Sequence, residues 1–408
     1  MTDQPALADF GRNPAGPSAV CSHMCWRHLI YRFPISTQRP HGRRNAAAVA
    51  ALCASLALVG GCALRADSGV LAGEQSGRPA LATAGLSVPS DRVEARDFEW
   101  RDDARGRSIP ARLYLPRTEG RMPEAAPLVI FSHGLGGSRF GYSYLGRYWA
   151  SQGLATLHIQ HEGSDRSVWT AGGWNIVASL RAAASEENAI ARAEDVSFAI
   201  TRVLAEPTLA ARLRADAIAV AGHSYGANTA LLVGGATVER AGKKLTRYDP
   251  RVKALVLISA PPFAGEADMR PILAPIQVPT LHITGTEDVI RIPGYYSDLA
   301  DRLAVFDAVG SSDKTLLVLQ GASHGVFTDR ISAATPDLNA AIKTATREAS
   351  ALFLRSVLLG EPRDTLSAWR AGVDHAGRGD LIERFVTPAA PATGTVTTQP
   401  SARASPAD

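Results

Sequence analysis

Six short apolar runs, each ending in small or polar residues, constrain this chain more than any other feature. They read PLVIFSHG (127–134), LATLHIQH (154–161), AIAVAGHS (217–224), KALVLISAPP (253–262), VPTLHITGTED (278–288) and TLLVLQGASHG (315–325). Each is strand-sized and apolar without polar alternation, as a strand covered on both faces must be. Amphipathic stretches near 140–152, 185–206, 226–236, 294–309 and 336–358 separate the runs and have helical spacing. Parallel neighbours need crossover helices, so this alternation predicts an α/β fold, a mostly parallel sheet with helices on both faces. RDFEW (96–100) and ARLYLP (111–116) precede the first run and read as an antiparallel pair, which brings the expected sheet to eight strands. A chain of 408 residues, 46% hydrophobic and 20% charged, has ample material for such a core.

The boundaries of the folded unit follow from where composition changes. Residues 63–89 are rich in Ala, Gly and Ser without periodicity, and the stretch from Pro388 (PAAPATGTVTTQPSARASPAD) has too few large apolar groups to bury. The expected organisation is an N-terminal extension and leader at 1–61, a tether at 62–89, one domain at 90–386 and a disordered tail at 387–408. The leader reading rests on RPHGRRNAAAVAALCASLALVGGCALRADSG (39–69): Arg39, Arg43 and Arg44 form a basic region, Ala46–Leu58 an apolar stretch too short for a comfortable span, and Val59-Gly60-Gly61-Cys62 a small-residue cleavage site ending in cysteine. This segment resembles a bacterial lipoprotein signal, which implies cleavage before Cys62 and lipid attached to its thiol. The domain is then expected outside the cytoplasmic membrane, held to it. Cys21, Cys25 and Cys53 would be lost with the leader, leaving Cys62 alone, without an internal disulfide or a Cys-ligated metal.

Charge narrows the partners. Residues 1–61 hold six arginines and two aspartates, which accounts for the whole formal charge of +4. The remainder is balanced and lacks the basic footprint of a nucleic-acid binder.

In open α/β sheets ligands bind beyond the carboxyl ends of the strands, and polar residues follow the runs there: Ser132-His133-Gly134, His161-Glu162, His223-Ser224, Asp288 and His324. VAGHSYGANTA (220–230) puts Ser224 between Gly222 and Gly226 where a strand must turn into a helix. A serine hydroxyl attacks poorly at neutral pH unless a base takes its proton and an acid orients that base. His324, in a loop of small residues past the last run, is the candidate base. Asp288 is the candidate acid, with adjacent Glu287 as its rival, because an error of one residue in strand alternation exchanges them. His158 and His282 lie within strands and read as satisfied core residues, and His375 as solvated. Asp195, in a helical segment with Arg192 one turn away, reads as part of an ion pair. The oxyanion formed on attack needs two N–H donors, one from Tyr225, after the nucleophile, and one from Leu135 in the glycine-rich FSHGLGG (131–137). Trp169 and Trp174, in the long segment HEGSDRSVWTAGGWNIVASL (161–180), are candidates for an apolar pocket wall and equally for core filler.

With these residues in place the sequence resembles serine hydrolases of the α/β-hydrolase superfamily. FSHGLGG with GHSYGANTA is similar to the platelet-activating-factor acetylhydrolase and dienelactone-hydrolase-like group, and GASHG after TGTED to bacterial cutinases. The resemblance spans about residues 95–360 and implies Ser224 as nucleophile, His324 as base, Asp288 as acid, Leu135 and Tyr225 as oxyanion donors, and no metal or cofactor. In the eukaryotic acetylhydrolases the acid follows the strand after the nucleophile helix; here that strand ends LVLISAPPFAG, with no carboxylate before Glu266. The expectation is therefore a carboxylic ester hydrolase acting on a small-molecule or lipid ester. Acyl transfer on the same triad and a silent tethered binding domain are the alternatives.

Overall fold

Alternation separates the first two strands from the rest. β1 (Val93–Asp102) buries and exposes positions in turn and pairs antiparallel with β2 (Arg107–Pro116), Val93 facing Pro116 and Asp102 facing Arg107. β3 (Ala126–Ser132) and β4 (Ala155–Ile159) are buried at every position, as their unbroken apolar runs require. β5 (Leu213–His223), β8 (Val252–Ile258), β9 (Thr280–Glu287) and β12 (Lys314–Ser323) extend the parallel part, and β13 (Ile382–Val386) closes the far edge. The order across this nine-stranded sheet is β1-β2-β4-β3-β5-β8-β9-β12-β13. Two hairpins lie outside it, β6 (Thr237–Arg240) with β7 (Lys243–Thr246), and β10 (Ile290–Ile292) with β11 (Tyr295–Ser297). The computed structural model describes residues 88, 90–117, 125–171, 175–240, 242–292, 294–330 and 335–388. All fall in the second of two units, Ser76–Asp408. The expected leader at 1–61, Cys62, the tether apart from Val88, Trp174 and the tail from residue 389 lie outside the described residues.

The two-residue period of the strands divides the core between two layers. Leu128 and Ile130 of β3, Ile218 and Val220 of β5, and Leu255 and Leu257 of β8 share one face with α3 (Glu186–Leu204) and α4 (Tyr225–Val233). Val129 and Phe131, Ala219 and Ala221, and Val256 and Ile258 share the other with α1 (Ser143–Ser151) and α7 (Pro336–Leu359). Each large side chain so buried stabilises the fold by about 1.5–3 kcal/mol. Local chemistry sets the helix ends. The Ser185 side chain accepts from Asn188 N at the start of α3, Thr335 caps α7 ahead of Pro336, and Gly360 at φ 73° ends α7. Trp149, fully buried, donates its Nε1–H to Ser350 Oγ at 2.9 Å and ties α1 to α7.

This is the expected α/β-hydrolase architecture with one strand more than the sequence reading counted. β13 runs antiparallel to β12, with a bulge between Val318 and Leu319. Its sequence IERFV exposes Glu383 and Arg384, so it carries no apolar run, as befits a short edge strand. The segment near 294–309 also differs: the β10–β11 hairpin takes its first residues, and α6 (Leu299–Ala308) starts only at the Asp298 cap. α2 (Ile176–Ala183), α5 (Arg270–Leu273) and α8 (Thr365–His375) complete the α-helices of the described residues. No helix among them is long and apolar enough to cross a membrane.

Candidate active site

Ser224 sits between the last residue of β5 and the first of α4 with φ 56° and ψ −122°. Positive φ at a residue bearing Cβ is held only where the surroundings over-determine it, at about 1–3 kcal/mol. Here Ser224 N–H donates to Ile258 O at 2.9 Å, and Ser224 O accepts from Ala227 N at 2.8 Å. The flanking glycines make the bend possible. A Cβ on Gly222 would lie 2.1 Å from Gly226 O, and one on Gly226 would lie 1.9 Å from Ser132 O. Strand, bend and helix are pressed together at backbone distance, and Ser224 stands out at the apex.

The loops after β9 and β12 bring two residues to it. His324 Nε2 lies 3.0 Å from Ser224 Oγ, and His324 Nδ1 lies 2.8 Å from Asp288 Oδ1. Nδ1 faces a carboxylate and therefore carries the ring proton, leaving Nε2 to accept from the serine hydroxyl. Asp288 is fully buried, and Glu287 beside it is exposed. Burial opposes ionisation of Asp288, but the hydrogen bond and charge of His324 and the Arg302 guanidinium at 3.5 Å outweigh it and hold the carboxyl well below the usual carboxylate range. Its second oxygen accepts from Thr284 Oγ1 at 2.8 Å.

Sequence reasoning missed two residues here. Ser259, at the end of β8 with φ 53° and no exposed surface, lies with its Oγ 2.8 Å from His324 Nδ1. Its unusual backbone angle leaves no trace in the sequence, and the run LVLISAPP marks only the strand end. His223, which the sequence marks only as the polar residue before the nucleophile, donates from Nε2 to His324 O at 3.1 Å. Its Nδ1 accepts from Tyr142 Oη at 2.9 Å, and Tyr142 Oη in turn accepts from Gly134 N at 3.3 Å. Burial above all, then the neighbouring His324, keeps His223 well below the usual histidine range and so neutral, which suits one donor and one acceptor nitrogen. This chain joins the glycine-rich loop to the loop that carries His324.

Leu135 lines a cavity of about 810 Å³ together with Ser224 and His324. Tyr225 opens α4, so its N–H stands at a helix N-terminus next to the serine. Trp169, 46% exposed, lines the same cavity and donates from Nε1 to Gly136 O at 2.9 Å. A Cβ on Gly136 (φ 71°) would lie 2.3 Å from that indole, so the glycine lets ring and loop meet. Leu180, Ile290 and Ile292 add apolar wall. Among the described residues no group of three or more His, Cys, Asp or Glu is arranged to hold a metal ion.

The other titratable candidates take structural places. His158 and His282 are buried as expected, but each leaves Nε2 without a hydrogen-bond partner among the described residues, so neither is fully satisfied. Burial holds both rings neutral, lowering each to about 3. His375 is exposed in the last turn of α8. Asp195 is paired, but not with Arg192: its oxygens accept from Arg105, Arg107 and His161 Nδ1 at 2.8–3.1 Å. His161 Nε2 accepts from Ser132 Oγ at 2.9 Å, a second Ser-His-Asp array in which all three residues have no exposed surface. Sealed from substrate, it can only brace the strand ends.

Two family models match the chain. Platelet-activating factor acetylhydrolase, isoform II, matches residues 117–188, which include β3 and the glycine-rich loop. Serine hydrolase (FSH1) matches residues 200–305, which include the bend at Ser224 and the loop at Asp288. No curated protein matches the chain. Among solved structures, a polyethylene-glycol-bound, cold-adapted esterase from an Arctic intertidal metagenomic library is 19% identical over 64% of this chain and 94% of its own, with a TM-score of 0.45. The two family matches support a serine hydrolase of the α/β-hydrolase type that acts on ester bonds.

Proposed function

We propose that the chain is a carboxylic ester hydrolase that works through an acyl-enzyme on Ser224. The observation that carries this reading is the single imidazole of His324 held between Ser224 Oγ at 3.0 Å and Asp288 Oδ1 at 2.8 Å, at the wall of an open cavity. His324 Nε2 takes the hydroxyl proton as Oγ bonds to the ester carbonyl carbon, and Asp288 steadies the imidazolium. The carbonyl electron pair moves onto oxygen, where the N–H groups of Leu135 and Tyr225 receive it. Collapse breaks the bond to the alcohol oxygen, which leaves with the proton from His324. Water then repeats the sequence on the acyl-serine, releasing the acid and restoring Ser224. The apolar wall of Trp169, Leu180, Ile290 and Ile292 favours an ester with an apolar acyl or alcohol part, from a small molecule or a lipid.

Rapid acid quench during turnover of p-nitrophenyl esters from acetate to palmitate tests the reading. A peptide containing Ser224, heavier by the acyl group, is expected for each ester that turns over. Turnover with the acyl group on another residue, or no turnover of any ester with a phospholipid and a polyester film also inert, would overturn it.

The leader and Cys62 support a second proposal, that the mature protein is lipid-anchored outside the cytoplasmic membrane of a bacterium. In a bacterial host fed labelled palmitate, the wild-type chain is expected to take up label and sediment with membranes, and Cys62→Ala to do neither. Equal labelling of both would refute the anchor and leave the hydrolase reading intact.

A further inference from the structure

Arg192, on α3, has no exposed surface, and among the described residues no hydrogen bond joins it to a carboxylate. Its Nε donates to Thr229 Oγ1 at 2.9 Å, Nη1 to Ser164 Oγ at 2.8 Å, and Nη2 to Ser132 Oγ at 3.0 Å and to His133 O. The guanidinium carbon lies 4.5 Å from the centre of the Tyr225 ring. Asp195, three residues further along the same helix, gives its oxygens to Arg105, Arg107 and His161 instead. Burial lowers the guanidinium to about 10, the main effect, while Tyr225 and Asp195 act to raise it, so it remains a cation at neutral pH. An isolated buried charge is strongly disfavoured, and one surrounded by neutral acceptors and an aromatic face needs all of them to persist.

Those partners are not scattered. His133 O belongs to the peptide that leads into Gly134-Leu135, and Tyr225 and Thr229 lie on the first two turns of α4. One rigid, planar fork therefore touches both segments whose N–H groups receive the oxyanion in the mechanism above. We propose that Arg192 is a positioning residue of the oxyanion site, clamping the loop after β3 to the start of α4 and setting a fixed positive charge behind both donors. The proposal rests on the acyl-enzyme reading. Its chemistry is specific to the step in which charge develops on the carbonyl oxygen: a preformed dipole cage needs no reorganisation then, and a buried cation deepens it. Uncharged substrate gains little, so kcat and not KM carries the effect.

The experiment compares wild type with Arg192→Met and Arg192→Lys, each checked for folding by circular dichroism and thermal melting, using p-nitrophenyl butyrate turnover and inhibition by an alkylboronic acid. A boronate on Ser224 is a tetrahedral anion and reports on the oxyanion site without turnover. Removing one oxyanion donor costs roughly 100- to 1,000-fold in kcat, and loss of a group behind the donors is expected to cost about 10- to 100-fold. Arg192→Met should show that loss, with KM within about threefold and boronate affinity reduced in parallel. Arg192→Lys keeps the charge but not the fork and should recover part of the loss at neutral pH. Its kcat should then fall as pH rises, because burial brings an ammonium down from its ordinary value of about 10.4. The ionisable groups around this position are Asp195, Arg107, His133, His161, Tyr142 and Tyr225. The two histidines are held neutral chiefly by burial and the tyrosines are raised by it, and all these groups are present in wild type, so an alkaline fall seen in the Lys variant and absent from wild type belongs to the introduced lysine. Wild-type kcat in a folded Met variant, or a change confined to KM, overturns the proposal. If the Met variant does not fold, the Lys variant decides: a wild-type kcat that is flat with pH overturns it, and a lowered kcat falling at alkaline pH upholds it. An inert wild type that forms no acylated Ser224 peptide would sink the acyl-enzyme reading itself, whereas an active wild type with an unaffected Met variant sinks only the role of Arg192.

Discussion

Replacing Ser224 by Ala is expected to lower turnover of a short-chain p-nitrophenyl ester by roughly a thousandfold or more. Labelling by a fluorophosphonate probe should disappear at the same time. The size follows from what is removed. Without Oγ the base at 3.0 Å has nothing to deprotonate, and only water held in the cavity can attack. The N–H groups of Leu135 and Tyr225 survive the change, so a residual rate above the uncatalysed reaction should persist. Backbone strain stays too, because Ala also carries Cβ at φ 56°. The variant should therefore melt close to wild type, which separates lost chemistry from lost structure. Comparable probe labelling of the two proteins would refute Ser224 as nucleophile.

Much of this site is legible in the sequence because its chemistry sits at the ends of elements with strong local signals. Ser224 follows a fully apolar strand and precedes an Ala-rich helix, and the space around Gly222 and Gly226 admits no other residue. Asp288 and His324 likewise end runs that can only be interior strands. Once the runs are stacked in parallel, their carboxyl ends meet at one edge, and polar residues far apart in the chain become neighbours.

The remainder depends on pairings that no periodicity encodes. Helix spacing put Arg192 beside Asp195, yet burial turned them to different partners: the carboxylate reaches Arg105 and Arg107 around the β1–β2 turn, and the guanidinium reaches under the glycine-rich loop. Ser259 is a similar case, since its place beside His324 comes from a backbone angle and not from a motif. β13 escaped notice for the opposite reason. A five-residue edge strand with Ile382 buried and Glu383 and Arg384 exposed makes no recognisable run.

Exchanging Asp288 for Asn should reduce kcat by about 1,000- to 10,000-fold, and Glu287→Gln should leave it within about threefold. An asparagine amide can present its NH₂ to His324 Nδ1 and drive the ring proton to Nε2, where it opposes the serine hydroxyl instead of accepting from it. It also removes the negative charge that stabilises the imidazolium, in a pocket with no exposed surface where that charge acts with little screening. Ser259 Oγ, 2.8 Å from the same nitrogen, can hold the ring in place but supplies no charge, so it limits the loss without preventing it. The Asn variant also leaves Arg302, itself buried, without its carboxylate at 3.5 Å, and a lower melting temperature should accompany the kinetic loss. The two effects are separable: an added Arg302→Met should restore melting temperature in the Asp288→Asn background and leave kcat low. Full activity in Asp288→Asn, or a collapse in Glu287→Gln, would move the orienting role one residue along the chain and contradict the burial that distinguishes these neighbours.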